Sequence, residues 1–438
     1  MPNLKKVIRQ KLKRVSLIYD TWVYFNKVKG SILEIVLDIW SAYYLKRIQK
    51  RTNCKDIITV GFIVQVPSIW YKQVGIYEEM LQRENIKPLL FAVPDMNWES
   101  SEILPDYTDN YFLKHYPCAV KAMNPDGSLI NFAQYDLDYL FYPRPYDTYL
   151  PADLRSSNMV KYVKCCHVPY SFSGSDNFID TSASKECYRN MYFAFMDSKH
   201  SQEVVQGRFQ NILQRNVRHI ENLGYPSLDN IIEIRTNSDR RDEIKNVMWT
   251  PRWSDAEIIG GSNFLKYKNL AMDFFENNDK LRLIFRPHPL LFPELKKKML
   301  MSDAEKDIFL ARISKVGGYY DYDSDISDSI RNTDVFITDF SGIVIELFLS
   351  GKPLIYCEGG IKLNKTFQDI IDCSYVAHNW GDVEKYMHEL ISGNDYLAKK
   401  REHLFEIQYS YYKNSARKIV DRICADAGLK CIGGENCE

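Results

Sequence analysis

The chain has 438 residues, 45% hydrophobic and 26% charged, with no net charge, an ordinary globular composition with room for two or three domains. Its ten cysteines form no Cys-x-x-Cys pair and no Cys/His ligand spacing, which excludes a zinc ribbon or a small disulfide scaffold and fits a reducing compartment. The charge is uneven: residues 1–55 hold thirteen Lys/Arg against Asp20, Glu34 and Asp38, a net +10, and the −10 left on the remainder argues against a nucleic-acid binder.

Within the basic segment, "GSILEIVLDIWSAYYL" sets Ile32, Ile35, Val36, Ile39 and Trp40 at helical spacing. The run is too short, and with Glu34 and Asp38 too charged, to span a bilayer. It also lacks the small-residue cleavage site of a signal peptide. An apolar stripe beside basic residues, Trp and Tyr suits an anionic membrane surface. The alternative is a helix packed on the protein's own body.

From residue 56 the pattern alternates. "DIITVGFIVQ" predicts a strand, "YKQVGIYEEMLQREN" a helix and "KPLLFAVP" a second strand. "LDYLFYPRPYD", "VKYVKCCHVPY" and "NMYFAFMDS" are further short apolar runs, followed by the helical "KHSQEVVQGRFQNIL". After "NLGYPSLDNI" and the polar "IRTNSDRRDEIK" the alternation restarts: "NVMWTPRW", a helix, "LRLIFRPHP", the helical "ELKKKMLMSDAEKDIFLARI", "TDVFITDF" and "KPLIYCEGG". Two α/β domains, each a parallel sheet between helices, are expected over residues 56–228 and 229–395, with a hinge near 225–245. Gly224 and Pro226 read as hinge geometry. The basic segment 1–55 and a helical tail, 396–438, flank them.

Chemistry-bearing residues fall at predicted strand ends, where open parallel sheets bind ligands. Pro287 and Pro289 hold Arg286 and His288 extended after one strand. Another strand ends in Arg252. "TDFSGIVIELF" ends a strand at Asp339, turns at Ser341 and Gly342, and opens a helix. Ser341 is expected to cap it, with the free amides offering an anion site. Glu346, one turn on, is a candidate partner for a ribose diol. "CCHVPYSFSGSDN" puts His167 before a Ser/Gly-rich loop, a candidate base because its pKa lies near neutrality.

In order and spacing, "NLGYPSLDNI", "VMWTPRWS", "FRPHP" and "TDFSGIVIELFLSGKPLIY" resemble the CDP-glycerol glycerophosphotransferases of teichoic-acid and capsule polymer synthesis, over roughly residues 160–380. The resemblance implies a GT-B fold, two Rossmann-like domains facing a cleft, with peripheral attachment at the cytoplasmic face of the membrane. It implies that His288 lies at the donor diphosphate and that Asp339 and Ser341 contact donor. The family's base histidine sits in a His-Gly-Thr motif; here the residues are His167-Val168-Pro169, and a second family serine is Gly342. The implied reaction passes a glycerol-phosphate unit from a CDP-activated donor to a hydroxyl of a cell-surface glycan or lipid-linked acceptor. Arg286, His288, Ser341 and the helix N-terminus would serve the diphosphate, Arg252 and Gly342 would help bind the donor, and His167 would take the acceptor proton, with no cofactor and no metal. Two rivals remain open: a GT-B glycosyltransferase using a nucleotide sugar, and a non-catalytic scaffold of the same fold.

Overall fold

The computed structural model describes residues 16–97, 102–103, 108–177, 179, 184–213, 218–236, 245–254, 261–323 and 325–429. The first fifteen residues and most of the polar stretch between the two alternations (237–244) lie outside them.

Among the described residues thirteen strands form two sheets. The first holds β1 (Ile58–Val64), β2 (Ile86–Ala92), β3 (Val120–Lys121), β4 (Tyr139–Tyr142), β5 (Lys164–His167), β6 (Met191–Phe195) and β7 (His219–Glu221). The second holds β8 (Lys245–Thr250), β9 (Leu281–Phe285), β10 (Tyr319–Tyr320), β11 (Val335–Thr338), β12 (Leu354–Cys357) and β13 (Tyr375–Ala377). Their orders are β3-β2-β1-β4-β5-β6-β7 and β10-β9-β8-β11-β12-β13. Every pairing between these strands is parallel. Strands covered on both faces need apolar residues throughout, and β4, β6, β11 and β12 are buried at every position. In each sheet the order reverses beside the first strand, between β1 and β4 and between β8 and β11. A crevice opens at such a point, outside the carboxyl ends of the strands.

The chain crosses between sheets twice, and the crossings touch. Gly224 (φ 99°) starts one and Asn414 (φ 55°) the other. A Cβ on Gly224 would lie 2.1 Å from Ser415 Oγ, so only glycine fits. Tyr225 N donates to Ser415 Oγ at 3.0 Å, and Ser415 N and Ala416 N each donate to the Asp229 carboxylate at 2.9 Å. Asp229 thereby satisfies the first amides of the Ser415–Ala427 helix. That helix puts Ile419, Val420 and Ile423 into the core of the first domain, while the tail's other helix, Ala398–Tyr412, stays with the second.

The Ser16–Thr52 helix crosses the amino edge of the first sheet. Asp38 pairs with Arg189 at 2.5 Å, Arg51 Nη2 donates to Leu137 O at 2.6 Å, and Lys55 pairs with Asp138 at 2.9 Å. Ala42 and Leu45 join the first domain's core. The sequence pattern set residues 1–55 apart from the domains; the packing makes the helix's last turns part of one. On the opposite side Ile32, Val36, Ile39, Trp40 and Tyr43 are 43–63% exposed. The expected apolar stripe therefore faces away from the body. Among the described residues no helix is long and apolar enough to cross a membrane.

Candidate active site

The ends of β8, β9 and β11 meet beside the second sheet's reversal point, tied at the base by Thr250 Oγ1 donating to Thr338 Oγ1 at 2.7 Å. Asp339 follows β11 and is 1% exposed. Its carboxylate accepts from Arg252 N at 3.0 Å, Asn263 N at 3.3 Å and Asn263 Nδ2 at 3.0 Å. Burial pushes its pKa up to about 6, against the pull of those bonds. Asp339 is therefore committed inside the protein: it fixes the loops after β8 and before the Phe264–Glu276 helix, and hence the residues around it.

Arg252 is one of these. Its Nη1 donates to Phe340 O at 2.9 Å and its guanidinium stands 5.1 Å from the Phe340 ring centre. Its Nε is buried without a partner, and it makes no ion pair among the described residues. The half-buried guanidinium has only the nearby Asp339 charge set against its desolvation, which leaves room for an anionic ligand.

His288 is placed by its backbone N donating to Pro251 O at 3.0 Å, and its ring centre lies 6.1 Å from that of Trp253. Leu290 N donates to His288 Nδ1 at 3.2 Å. Nδ1 is thus an acceptor, which leaves the neutral ring's proton on Nε2 as a donor. Burial, then the charge of Arg252, lowers its pKa to about 4.

Ser341 was expected to cap the next helix. The helix begins later, at Val344, and runs only to Leu349, with no side-chain cap. So short a helix contributes little dipole. The Ser341 hydroxyl makes no hydrogen bond among the described residues and stays half-exposed. Gly342 beside it faces the first domain.

Two expected site residues are occupied elsewhere. Arg286 Nη1 pairs with Asp321 at 2.7 Å and its Nη2 donates to Asp323 O at 2.7 Å, which anchors the loop after β10. Glu346 is 1% exposed; it pairs with Lys72 of the first domain and accepts from Ser227 Oγ at 2.9 Å. It is an interdomain contact rather than an open acceptor for a diol. Asn263, Lys72 and Ser227 were not found from sequence. Asn263 alone carried a signal, a polar residue just ahead of a predicted helix.

His167 ends β5, 1% exposed, its ring 6.3 Å from and edge-on to that of Tyr188. Its Nδ1 has no hydrogen-bond partner among the described residues. Burial lowers its pKa to about 3, with a hydrogen bond to the Tyr142 backbone opposing. The imidazole is held neutral, the state that accepts a proton, but it is turned into the first domain.

Two parallel sheets of this order, closed against each other over a rim of uncommitted donors, define the two-domain GT-B class. Residues 170–425 match the family described as "CDP-Glycerol:Poly(glycerophosphate) glycerophosphotransferase". The chain belongs to that family. It is 24% identical over 187 residues to the minor teichoic acid biosynthesis protein GgaB of Bacillus subtilis, covering 42% of this chain and 18% of that one. It is 21% identical over 398 residues to the teichoic acid poly(glycerol phosphate) polymerase of Staphylococcus epidermidis, covering 81% and 51%. The chain thus spans at most about half the length of these relatives. In fold it is similar to the UDP-GlcNAc 2-epimerase of Neisseria meningitidis, with TM-score 0.53 and 11% identity over 84% of this chain and all of that one.

Proposed function

We propose that the protein transfers a glycerol-phosphate, or similar polyol-phosphate, unit from a CDP-activated donor to a hydroxyl of a cell-surface polymer or lipid-linked glycan. The observation that carries this reading is the set of uncommitted donors at one rim: Arg252 Nε, His288 Nε2 and Ser341 Oγ. Hydrogen-bond donors and a cation without anionic partners suit a diphosphate, and membership of the family supports CDP as its carrier.

In the reaction the acceptor oxygen attacks the phosphorus that bears the polyol. The bond from that phosphorus to the bridging oxygen breaks, and CMP leaves with the bonding pair. Arg252, His288 and Ser341 stabilise charge gathering on the phosphate oxygens and the leaving group. Asp339 acts at one remove, by holding the Arg252 backbone. His167 takes the acceptor's proton at Nδ1. Its low proton affinity is a product of burial, and an anionic donor beside it raises that affinity. Because the ring is turned into the first domain, the packing around Tyr188 within that domain shifts for the acceptor to reach it.

The exposed stripe on the Ser16–Thr52 helix, continued by exposed Lys46, Arg47 and Lys50, supports attachment to an anionic membrane surface, at the cytoplasmic face where nucleotide-activated donors are found. The division into a donor domain after Asp229 and an acceptor domain before it is supported by the paired crossings.

Incubation with CDP-glycerol, CDP-ribitol and UDP-GlcNAc, read by mass spectrometry, tests the reading. CMP release from a CDP-polyol is expected. Release of a nucleoside diphosphate from a sugar donor alone would overturn it in favour of glycosyl transfer.

A further inference from the structure

The Ser/Gly-rich loop after β5 has no part in the chemistry above, yet it makes a close approach between the domains. It is held from both sides. Ser173 N donates to Asp197 Oδ2 of the first domain at 2.6 Å. Asn364 of the second domain gives its backbone N–H to Gly174 O at 2.9 Å and its side-chain amide to Ser173 O at 2.7 Å. Between these anchors Phe172 is buried against Phe367, with ring centres 5.7 Å apart. Ser171 therefore stands next to a fixed residue.

At Ser171 the loop meets the turn that carries Ser341. A Cβ on Gly342 would lie 2.1 Å from Ser171 Oγ and 3.0 Å from Phe172 N. The Ser171 hydroxyl thus fills the space of the side chain that Gly342 lacks. It makes no hydrogen bond among the described residues and is half-exposed. Two uncommitted hydroxyls, one from each domain, now flank the same turn beside Arg252 Nη1, which is bonded to Phe340 O. Gly342 is not in a left-handed conformation, so its neighbour, and not its backbone, makes glycine necessary here.

We propose that Ser171 is a donor-binding residue supplied by the first domain. With Ser341 it presents a second hydroxyl to the phosphate oxygens of a nucleoside diphosphate, and Gly342 is the gap that admits it. This rests on the diphosphate reading of the rim and adds that the donor site is assembled from both domains and exists only when they are closed.

The test uses the full chain as parent, S171A, G342S and the double variant S171G/G342S, which moves the hydroxyl from one domain to the other. CDP affinity is measured by calorimetry and closure by small-angle scattering without nucleotide. S171A is expected to bind CDP about tenfold more weakly, as for loss of one hydrogen bond to a charged group. G342S is expected to lose more and to scatter as a larger particle, because its side chain meets Ser171. The double variant regains compactness and binds CDP more tightly than G342S, short of full recovery because of the remaining contact with Phe172 N. A G342S protein as compact as the parent, or a double variant no tighter than G342S, overturns the assignment. If the parent binds CDP and neither single variant weakens it, this assignment alone fails. If the parent binds no CDP, the donor reading fails with it.

Discussion

The two sheets repeat one strand order, and each has a crevice where that order reverses, but the groups at the two rims differ. At the first rim the ends of β4 and β5 bring Tyr142 and His167, both buried, and Arg144 just beyond is already paired with Asp95 at 2.8 Å. At the second, Arg252, His288 and Ser341 keep donors without partners, while the buried Asp339 carboxylate holds the loops around them. Topology nominates both crevices equally. Hydrogen-bond accounting separates them: of these groups the first rim leaves one buried ring nitrogen, His167 Nδ1, without a partner, while the second leaves a cationic N–H and a hydroxyl, the donors an anion would use.

The contrast breaks most completely at Asp339. Replacing it with alanine orphans Arg252 N, Asn263 N and Asn263 Nδ2 together. Each buried unsatisfied donor costs about 1–3 kcal/mol. Asp339→Ala is expected to lose on the order of 3–5 kcal/mol in urea unfolding and all measurable turnover. A variant as stable as the parent would mean the carboxylate faces ligand instead.

His288→Ala and Arg252→Ala sharpen the comparison from the other side. Each side chain spends one hydrogen bond on the fold, Arg252 on Phe340 O and His288 on Leu290 N, so turnover should fall by about 10²–10³ while unfolding free energy falls by only about 1 kcal/mol. Arg286→Ala should do the reverse: it strands the buried Asp321 carboxylate, and stability falls first. If Arg286→Ala matched His288→Ala in both measurements, the division into committed and uncommitted groups would have no content.

These contrasts show what the sequence carried. Strands were legible because a parallel sheet covered on both faces demands short, largely apolar runs, and β4, β6, β11 and β12 are such runs. A break inside "ELKKKMLMSDAEKDIFLARI" was also written there: Ser302 and Glu305 form a capping box that starts a new helix at Asp303, which the continuous helical reading passed over. Partners were not legible. Arg286 meets Asp321 at 35 residues' separation and Glu346 meets Lys72 at 274. An arginine or glutamate has the same letter whether its charge is neutralised or open. The sequence therefore located the rim but could not sort its members, and it left Ser171 unmarked, since a serine in a loop gains meaning only from the glycine it packs against.

The first rim makes a pH prediction. His167 is held near 3 against an ordinary 6.5, so the folded state binds fewer protons than the unfolded one. Its contribution to stability is complete above pH 6.5 and is lost as pH falls toward 3, at about 1.4 kcal/mol per unit. Asp339 works in the opposite sense, since its raised value, about 6, favours the fold at low pH and loses that contribution as pH rises through 6. The parent is therefore best compared with a single variant. Between pH 7 and pH 5 it should lose about 2 kcal/mol more unfolding free energy than His167→Gln. Equal losses would mean that His167 titrates freely in the fold, and the first rim would then not be closed over it.

The smallest effect concerns the far edge of the first sheet, where the Ser16–Thr52 helix separates two faces. One face carries Asp38, Ala42, Leu45 and Thr52 into the domain; the other exposes Ile32, Val36, Ile39, Trp40 and Tyr43, with Lys46, Arg47 and Lys50 following. Truncation cannot test the exposed face, because removing residues 1–50 also deletes the buried Leu45 and Ile48 and destabilises the domain itself. Substitutions on the outer face can. Ile39→Ala with Trp40→Ala leaves the buried side untouched, so the melting temperature should hold, and affinity for phosphatidylglycerol vesicles should fall about tenfold at any salt concentration. Lys46→Glu with Lys50→Glu should weaken binding at low salt, by about 1 kcal/mol per cation removed, and the difference from the parent should shrink as salt screens it. Co-sedimentation across a salt series resolves the two contributions. Vesicle binding that survives both double substitutions would assign the exposed stripe to something other than a bilayer.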